Sequence, residues 1–149
     1  MTFKELLHAH CQQIVDDRIK LTQKLISEAQ QAANQDGKSS MGDKYETNRE
    51  MMALEMRKAS EQLQEASKLK KVLGTINPNT IAQTVGIGTF TSTSIGDFFV
   101  SVSLGKVNVE EQEVFVLSAV SPLGKMLLGK KAGDQFDFNS QQVKIKSIS

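Results

Sequence analysis

The distribution of proline and glycine constrains this chain more than any other feature. Residues 1–74 contain no proline and only three glycines, whereas both prolines and the other seven glycines lie in residues 75–149. Because proline and glycine interrupt helices, the first half can form long helices. The prolines and glycines of the second half favour short strands joined by turns. The sequence therefore predicts a first domain at 1–74, a linker at 75–80 and a second domain at 81–149.

Two runs in the first half carry apolar side chains at helical spacing. The first run covers about residues 3–33 and the second about residues 44–73, and both repeat at the intervals of a helix-packing seam. The predicted seam positions are Leu7, Cys11, Ile14, Leu21 and Leu25 in the first run and Met52, Met56, Ala59, Leu63, Ala66, Leu69 and Leu73 in the second. A short polar turn joins the runs. We therefore expect a long antiparallel coiled-coil hairpin that projects from the second domain, with its tip near residues 36–46.

The second half has the alternating pattern of strands. The strand-like segments are 98–104, 135–138 and 143–145, which alternate, and 114–117, which is continuously apolar and suits a central strand. Ser121 is a good N-cap, Pro122 suits a first helical position, and Gly129 marks the end of a short helix. We therefore expect a small antiparallel sheet with one short helix, which makes the whole chain α+β.

Charge and composition exclude several classes of protein. The chain has 18 basic and 17 acidic residues, and each half is close to neutral, with 12 and 11 in residues 1–74 and 6 and 6 in residues 75–149. Any binding to nucleic acid must therefore come from a local patch rather than from the whole surface. One cysteine cannot form an internal disulfide, and no apolar run is long enough for a membrane span or a signal peptide. We expect a soluble, cytoplasmic protein that does not contact a membrane.

The usual catalytic constellations are missing. His8 and His10 are two residues apart in a predicted helix, so their side chains point away from each other and cannot share a metal ion. Cys11 lies on the apolar seam, and no histidine is placed to activate it. We expect these three side chains to be packing or surface residues, and we do not expect the chain to be an enzyme by itself.

Two carboxylates at the start of the second helix have two interpretations. Asp43 and Glu46 are three residues apart, the spacing of a capping box, and the positive end of a helix favours both acids. The same pair suits a shared metal site, because Mg²⁺ often takes only one or two protein carboxylates and fills its octahedron from water and phosphate. Both interpretations stay open on the residues alone.

Two segments carry a resemblance to a known family. Residues 42–55, Gly-Asp-Lys-Tyr-Glu-Thr-Asn-Arg-Glu-Met-Met-Ala-Leu-Glu, resemble the hairpin tip of the bacterial Gre transcript-cleavage factors. Residues 121–134, Ser-Pro-Leu-Gly-Lys-Met-Leu-Leu-Gly-Lys-Lys-Ala-Gly-Asp, resemble the C-terminal signature of the same family. The two segments stand in the family's order and spacing, so the resemblance covers nearly the whole chain.

The resemblance implies a transcription elongation factor rather than an enzyme. It implies that an FKBP-like C-terminal domain docks on RNA polymerase through Ser121, Pro122 and Leu123, and that the hairpin enters the secondary channel. Asp43 and Glu46 would then help to hold a Mg²⁺ ion shared with the polymerase and so stimulate cleavage of backtracked RNA near its 3′ end. We expect no stable Mg²⁺ on the isolated protein, because two carboxylates bind it weakly.

Other functions remain open, because the chain departs from the family pattern and because other classes of protein share some of its features. Lys44 and Tyr45 stand where the family usually has Leu-Ser, and the charge of Lys44 lowers the negative potential beside Asp43. Ser40, Lys44 and Tyr45 are candidate tip contacts, and the alternative function is a regulator or inhibitor that occupies the channel without stimulating cleavage. A prolyl isomerase is disfavoured, because the chain has no Trp and its one Tyr is at the tip. A coiled coil that dimerises through its seam is the remaining alternative, whereas the resemblance leads us to expect a monomer in isolation.

Overall fold

The structure is a computed structural model that describes residues 1–36 and 42–149, and within them the side chains at 33, 35, 36 and 42–46 are not described. The elements of these residues, in chain order, are α1 (Phe3–Asp36), α2 (Gly42–Gly74), β1 (Phe90–Thr93), β2 (Gly96–Ser101), β3 (Gly105–Val109), β4 (Gln112–Ser118), α3 (Pro122–Leu127), β5 (Gln135–Phe138) and β6 (Gln141–Ile148). The fold is therefore α+β, with two long helices followed by a sheet and a short helix, as the sequence predicts.

Close contacts divide the chain into two units. Gln13–Lys70 form one unit, here called the hairpin unit, and Met1–Gln12 together with Lys71–Ser149 form the other, here called the sheet unit. The first turns of α1 thus belong with the sheet, a grouping that composition does not reveal. The domain boundaries inferred from composition stay predictions.

The hairpin unit consists of antiparallel helices. Asp16 near the start of α1 forms an ion pair with Lys70 near the end of α2, with 3.3 Å between the carboxylate and the ammonium. The predicted seam of α2 is confirmed, because Ala59 and Ala66 are buried and Met52 is half-buried. The remaining seam positions of α2 are also buried or half-buried, namely Met56, Leu63, Leu69 and Leu73.

The predicted seam of α1 is wrong beyond its first turns. Leu21 and Leu25 are 59% and 46% exposed, whereas Thr22 is buried and Ile26 is half-buried. The least exposed positions of α1 step from Cys11 to residues 15, 22 and 26, of which the last is half-buried. Apolar spacing identified a real stripe of α1, but the burial of this helix beyond its first turns follows a stripe one residue further along.

The sheet of the sheet unit has six described strands in the order β3-β4-β2-β1-β6-β5. The continuously apolar β4 lies between β3 and β2, so the prediction of a central strand is confirmed. The β3–β4 hairpin turns at Glu110 and Glu111, both in the left-handed region at φ 50° and 63°. The β5–β6 hairpin turns in the same way at Asn139 and Ser140, at φ 50° and 64°. Two consecutive residues with positive φ are typical of the tight turns that match the twist of paired strands.

The sheet is mixed, which corrects the prediction of an antiparallel sheet. Four of the five described strand pairings are antiparallel, but β2 pairs with β4 in parallel, with Phe98 opposite Phe115. The cause lies in the chain path: β3 pairs with β4 rather than with β2, so β4 enters the space beside β2 running in the same direction. Alternating patterns specify which residues face the core, but they do not specify strand direction.

One face of the sheet packs against α3. The core cluster there consists of Val85, Phe98, Val100, Leu117, Leu127 and Ile145. Burying side chains of this size contributes roughly 1.5 to 3 kcal/mol each. The cluster fixes the position of α3, which carries the second candidate motif.

Candidate functional site

The predicted tip residues lie at the start of α2. Because α2 begins at Gly42, the backbone places Asp43 and Glu46 within its first two turns. Positions three apart are neighbours on a helix surface, so the helical backbone places positions 43 and 46 on one side of α2. The positive end of the helix dipole also lies there and favours carboxylates.

The other predicted tip contacts lie partly or wholly outside the description. Ser40 lies outside the described residues, and Lys44 and Tyr45 belong to α2 with side chains that are not described. The side chains of Asp43 and Glu46 are not described either, so their role stays a prediction. Elsewhere among the described residues, no three His, Cys, Asp or Glu side chains come together as a metal site.

The second candidate site is the corner between β4 and α3. The Ser121 hydroxyl donates to the Ser118 carbonyl over 2.6 Å and accepts from the Gly124 amide over 3.1 Å. The Val120 amide in turn donates to the Ser118 hydroxyl over 3.2 Å. Ser121 is the N-cap of α3 and Pro122 is its first helical residue, so both helix-start predictions are confirmed. These bonds hold the corner in one conformation.

Gly124 is the residue that makes this corner possible. A Cβ at this position would lie 2.1 Å from the Ser118 carbonyl oxygen and 2.8 Å from the Ser121 hydroxyl. Because no real side chain tolerates such a contact with backbone, α3 approaches the end of β4 only with glycine here. The second glycine-dependent feature of the motif is the end of the helix, where Gly129 has a φ of 79° and its amide donates to the Val85 carbonyl over 2.9 Å.

The end of the 121–134 motif also has a local structural role. The Asp134 carboxylate accepts a hydrogen bond from the Lys131 amide over 2.8 Å, and the Asp134 carbonyl accepts one from the Ile145 amide over 2.9 Å. Gly133 donates to the Ile145 carbonyl over 2.8 Å. The Gly-Asp pair thus closes the turn before β5 and ties it to β6.

The exposed face of α3 differs from the predicted docking residues. Leu123 is half-buried and packs against the core, whereas Pro122 and Met126 are exposed. Val120, just before the helix, is 74% exposed. Leu123 shares its side of α3 with the buried Leu127, and Met126 shares its side with Pro122. The docking role of Ser121, Pro122 and Leu123 stays a prediction.

The polar and reactive side chains near the start of α1 have packing roles. His8 is buried, and its Nε2 hydrogen-bonds to the Leu73 carbonyl over 2.7 Å, while His10 is exposed. Cys11 is a free, buried thiol, and burial raises its pKa to about 12. The interpretation of these residues as packing or surface side chains is therefore confirmed.

Lys4 is a buried cation beside the linker. Its ammonium donates to the Thr80 carbonyl over 2.7 Å, and burial lowers the pKa of Lys4 below its usual value. The contact fastens the first turn of α1 to the residues that follow α2. None of the described helices combines the length and apolar character that crossing a bilayer requires.

Comparisons with known proteins add a distant likeness to this geometry. No family model matches the chain. No curated protein matches it either. Among solved structures, the chain is similar to the structure of the transcription factor Gfh1, with 15% identity and a TM-score of 0.38 over 93% of this chain and 92% of that one. A likeness of this size carries no conclusion about function.

Proposed function

We propose that this chain is a Gre-type transcription elongation factor that binds RNA polymerase, inserts its hairpin into the secondary channel and stimulates cleavage of backtracked RNA. The observation that carries the proposal is the position of the acid pair Asp43 and Glu46 at the start of the second helix of an antiparallel hairpin. The order of elements supports it, because the 121–134 motif follows as a capped helix on the sheet.

The donor set fits a shared Mg²⁺ ion. Carboxylate oxygens are the ligands that Mg²⁺ prefers, and Asp43 and Glu46 supply two acids, so the polymerase and the RNA must supply the remaining ligands. When bound, the ion would polarise the phosphodiester and the attacking water. Asp43 is the residue assigned to the ion, and Glu46 either binds the ion or orients the water. The chain on this account stimulates the nuclease of the polymerase and is not itself the enzyme.

The corner between β4 and α3 supplies the proposed docking surface. Val120, Pro122 and Met126 present apolar side chains on a backbone that the Ser121 cap and Gly124 hold in place. A preorganised surface loses little conformational entropy on binding, which favours affinity.

The test of cleavage uses a halted, backtracked complex with RNA labelled at its 5′ end. We expect the wild-type chain to shorten the RNA and release 3′ fragments, and Asp43→Asn or Glu46→Gln to slow release by about 10- to 100-fold, the usual loss for altered metal-site carboxylates. Glu50→Gln is the matched control, because Glu50 is an exposed acid one turn further along α2. Equal rates for Asp43→Asn, Glu46→Gln and wild type would contradict the role of the acid pair.

The test of docking measures polymerase binding directly. Val120→Asp is expected to weaken binding by about 10-fold or more, because it places a charge in an apolar contact. Ile81→Asp is the control, since Ile81 is 82% exposed and lies outside the corner. Equal loss of binding in both variants would place the docking surface elsewhere.

Lys44 favours a second candidate function, in which the chain occupies the channel without stimulating cleavage. Lys44 stands between the two acids in the sequence, and its positive charge weakens the attraction of the tip for a cation. Under this function wild type slows nucleotide addition and releases no fragments, and replacing Lys44 and Tyr45 by Leu and Ser confers release. Release by the unaltered chain rejects this second function.

A further inference from the structure

The hairpin unit carries a groove that no described element covers. The groove has a volume of about 600 Å³ and lies between α1 and α2. Its apolar lining includes Leu21, Ala66 and Leu69, of which Leu21 is 59% exposed. Polar and charged residues from both helices complete the lining.

A stripe of apolar side chains on α1 is exposed at the groove. Leu21 and Leu25 lie four residues apart on α1 and are exposed, whereas the neighbouring positions Thr22 and Ile26 are buried and half-buried. Two packed helices bury only one stripe of each, so a second apolar stripe stays exposed unless a further helix covers it. A helix from a second molecule can therefore cover this stripe.

The charged residues of the groove on α2 are complementary to the same residues of a second copy in antiparallel orientation. Lys58, Glu61 and Glu65 line the groove on α2. If two copies of α2 cross antiparallel about the midpoint between residues 61 and 62, Lys58 and Glu65 are each 3.5 positions from that midpoint. Each Lys58 then lies opposite Glu65 of the second copy, so one crossing forms the pair twice.

The ion pairs within one copy leave Lys58 and Glu65 able to pair with a second copy. Among the described residues Lys58 forms no ion pair, and Glu65 pairs only with Lys68, over 3.2 Å with both side chains more than 70% exposed. Exposed pairs of this kind contribute little stability. Glu65 can therefore change partner at small cost.

We propose that the groove is the contact surface between two copies of this chain, which pair their hairpins antiparallel with Lys58 of each opposite Glu65 of the other. Leu21 and Leu25 of one copy then cover the stripe of the other, as in a four-helix arrangement. The proposal replaces the expected monomer with an equilibrium that depends on concentration. It is independent of the proposed role in transcription.

Sedimentation velocity of the full chain over a wide concentration range tests the pairing. Wild type is expected to shift from 16.4 kDa to twice that mass as concentration rises. Lys58→Glu and Glu65→Lys are each expected to weaken dimerisation by about 10-fold or more, because each places like charges together twice. The chain carrying both changes should recover wild-type dimerisation, since the pair is restored with its signs exchanged.

A matched apolar pair of variants tests the stripe. Leu21→Gln is expected to weaken dimerisation by at least about 10-fold. Ile81→Gln should leave it unchanged, because Ile81 is 82% exposed, belongs to the sheet unit and is not among the residues that line the groove. A constant mass of 16.4 kDa, failure of the double charge exchange to restore pairing, or equal loss in the Leu21→Gln and Ile81→Gln variants would each overturn the proposal.

Discussion

The two units of this molecule differ in what they bury. In the sheet unit the buried side chains include large ones such as Phe99, Leu127 and Ile145. In the described part of the hairpin unit the buried side chains are all small, namely Val15, Thr22, Ala59 and Ala66. Large apolar side chains of that unit, such as Leu21 and Met51, are more than half exposed. The sheet unit is therefore organised around a core of large side chains, whereas the buried positions in the described part of the hairpin unit hold only small ones.

The largest expected effect is a loss of stability of the sheet unit on substitution at the corner between β4 and α3. Gly124→Ala places a Cβ 2.1 Å from the Ser118 carbonyl oxygen, so either α3 or the end of β4 must move. We expect the free energy of unfolding of this unit to fall by about 3 kcal/mol, measured by calorimetry. Gly86→Ala is the control, because nothing lies within 4 Å of a Cβ there. An equal, small effect of both changes would show that the corner is loosely packed.

A smaller effect distinguishes the two stripes of α1. Val15 is fully buried and Leu21 is 59% exposed, although the sequence assigns Leu21 to the seam. We expect Val15→Ala to cost about 2 kcal/mol and Leu21→Ala less than about 1 kcal/mol. Urea denaturation at a concentration where the chain is monomeric provides the measurement. A larger loss of stability for Leu21→Ala than for Val15→Ala would support the seam predicted from the sequence.

The smallest effect concerns the interior of the sheet unit. Burial raises the pKa of the Cys11 thiol from 9.0 to about 12, so above pH 9 the unfolded chain loses a proton that the folded chain keeps. Stability is therefore lost as pH rises through this window, by about 1.4 kcal/mol at pH 10. The measurement is the free energy of unfolding of wild type relative to Cys11→Ala between pH 8 and 10. A difference that stays constant over this range would mean that water reaches the thiol.

Much of the fold was predictable from local chemistry. The α2 seam, the cap at Ser121 and the end of α3 at Gly129 each follow from residues close together in the sequence. The central position of β4 follows from its continuous apolar run. Such features depend on spacing and on single residue types, which a sequence displays directly.

The remaining features depend on tertiary packing. The strands β1 and β3 were not predicted, because Phe90–Thr93 and Gly105–Val109 are short and contain small or polar residues. The parallel pairing of β2 with β4 depends on the chain path. The α1 seam was misplaced because Leu21 is larger and more apolar than Thr22, and only contact with α2 decides between two neighbouring stripes.

The candidate sites also combine features that the sequence predicts with features that only the structure reveals. The Ser121–Pro122 corner and its cap were predictable, but the requirement for Gly124 became visible only from its distance to Ser118. The acids Asp43 and Glu46 were found from their spacing and from the family resemblance, and their role in metal binding stays a prediction.

The central claim is that the hairpin tip completes a metal site in RNA polymerase. The most direct measurement is the rate of 3′ fragment release from a backtracked complex, taken across Mg²⁺ concentrations with wild type, Asp43→Asn and no added protein. Wild type is expected to reach a given rate at about 10-fold less Mg²⁺ than the polymerase alone, and Asp43→Asn should lose this advantage while still binding. Full binding of wild type without faster release at any Mg²⁺ concentration would contradict the claim.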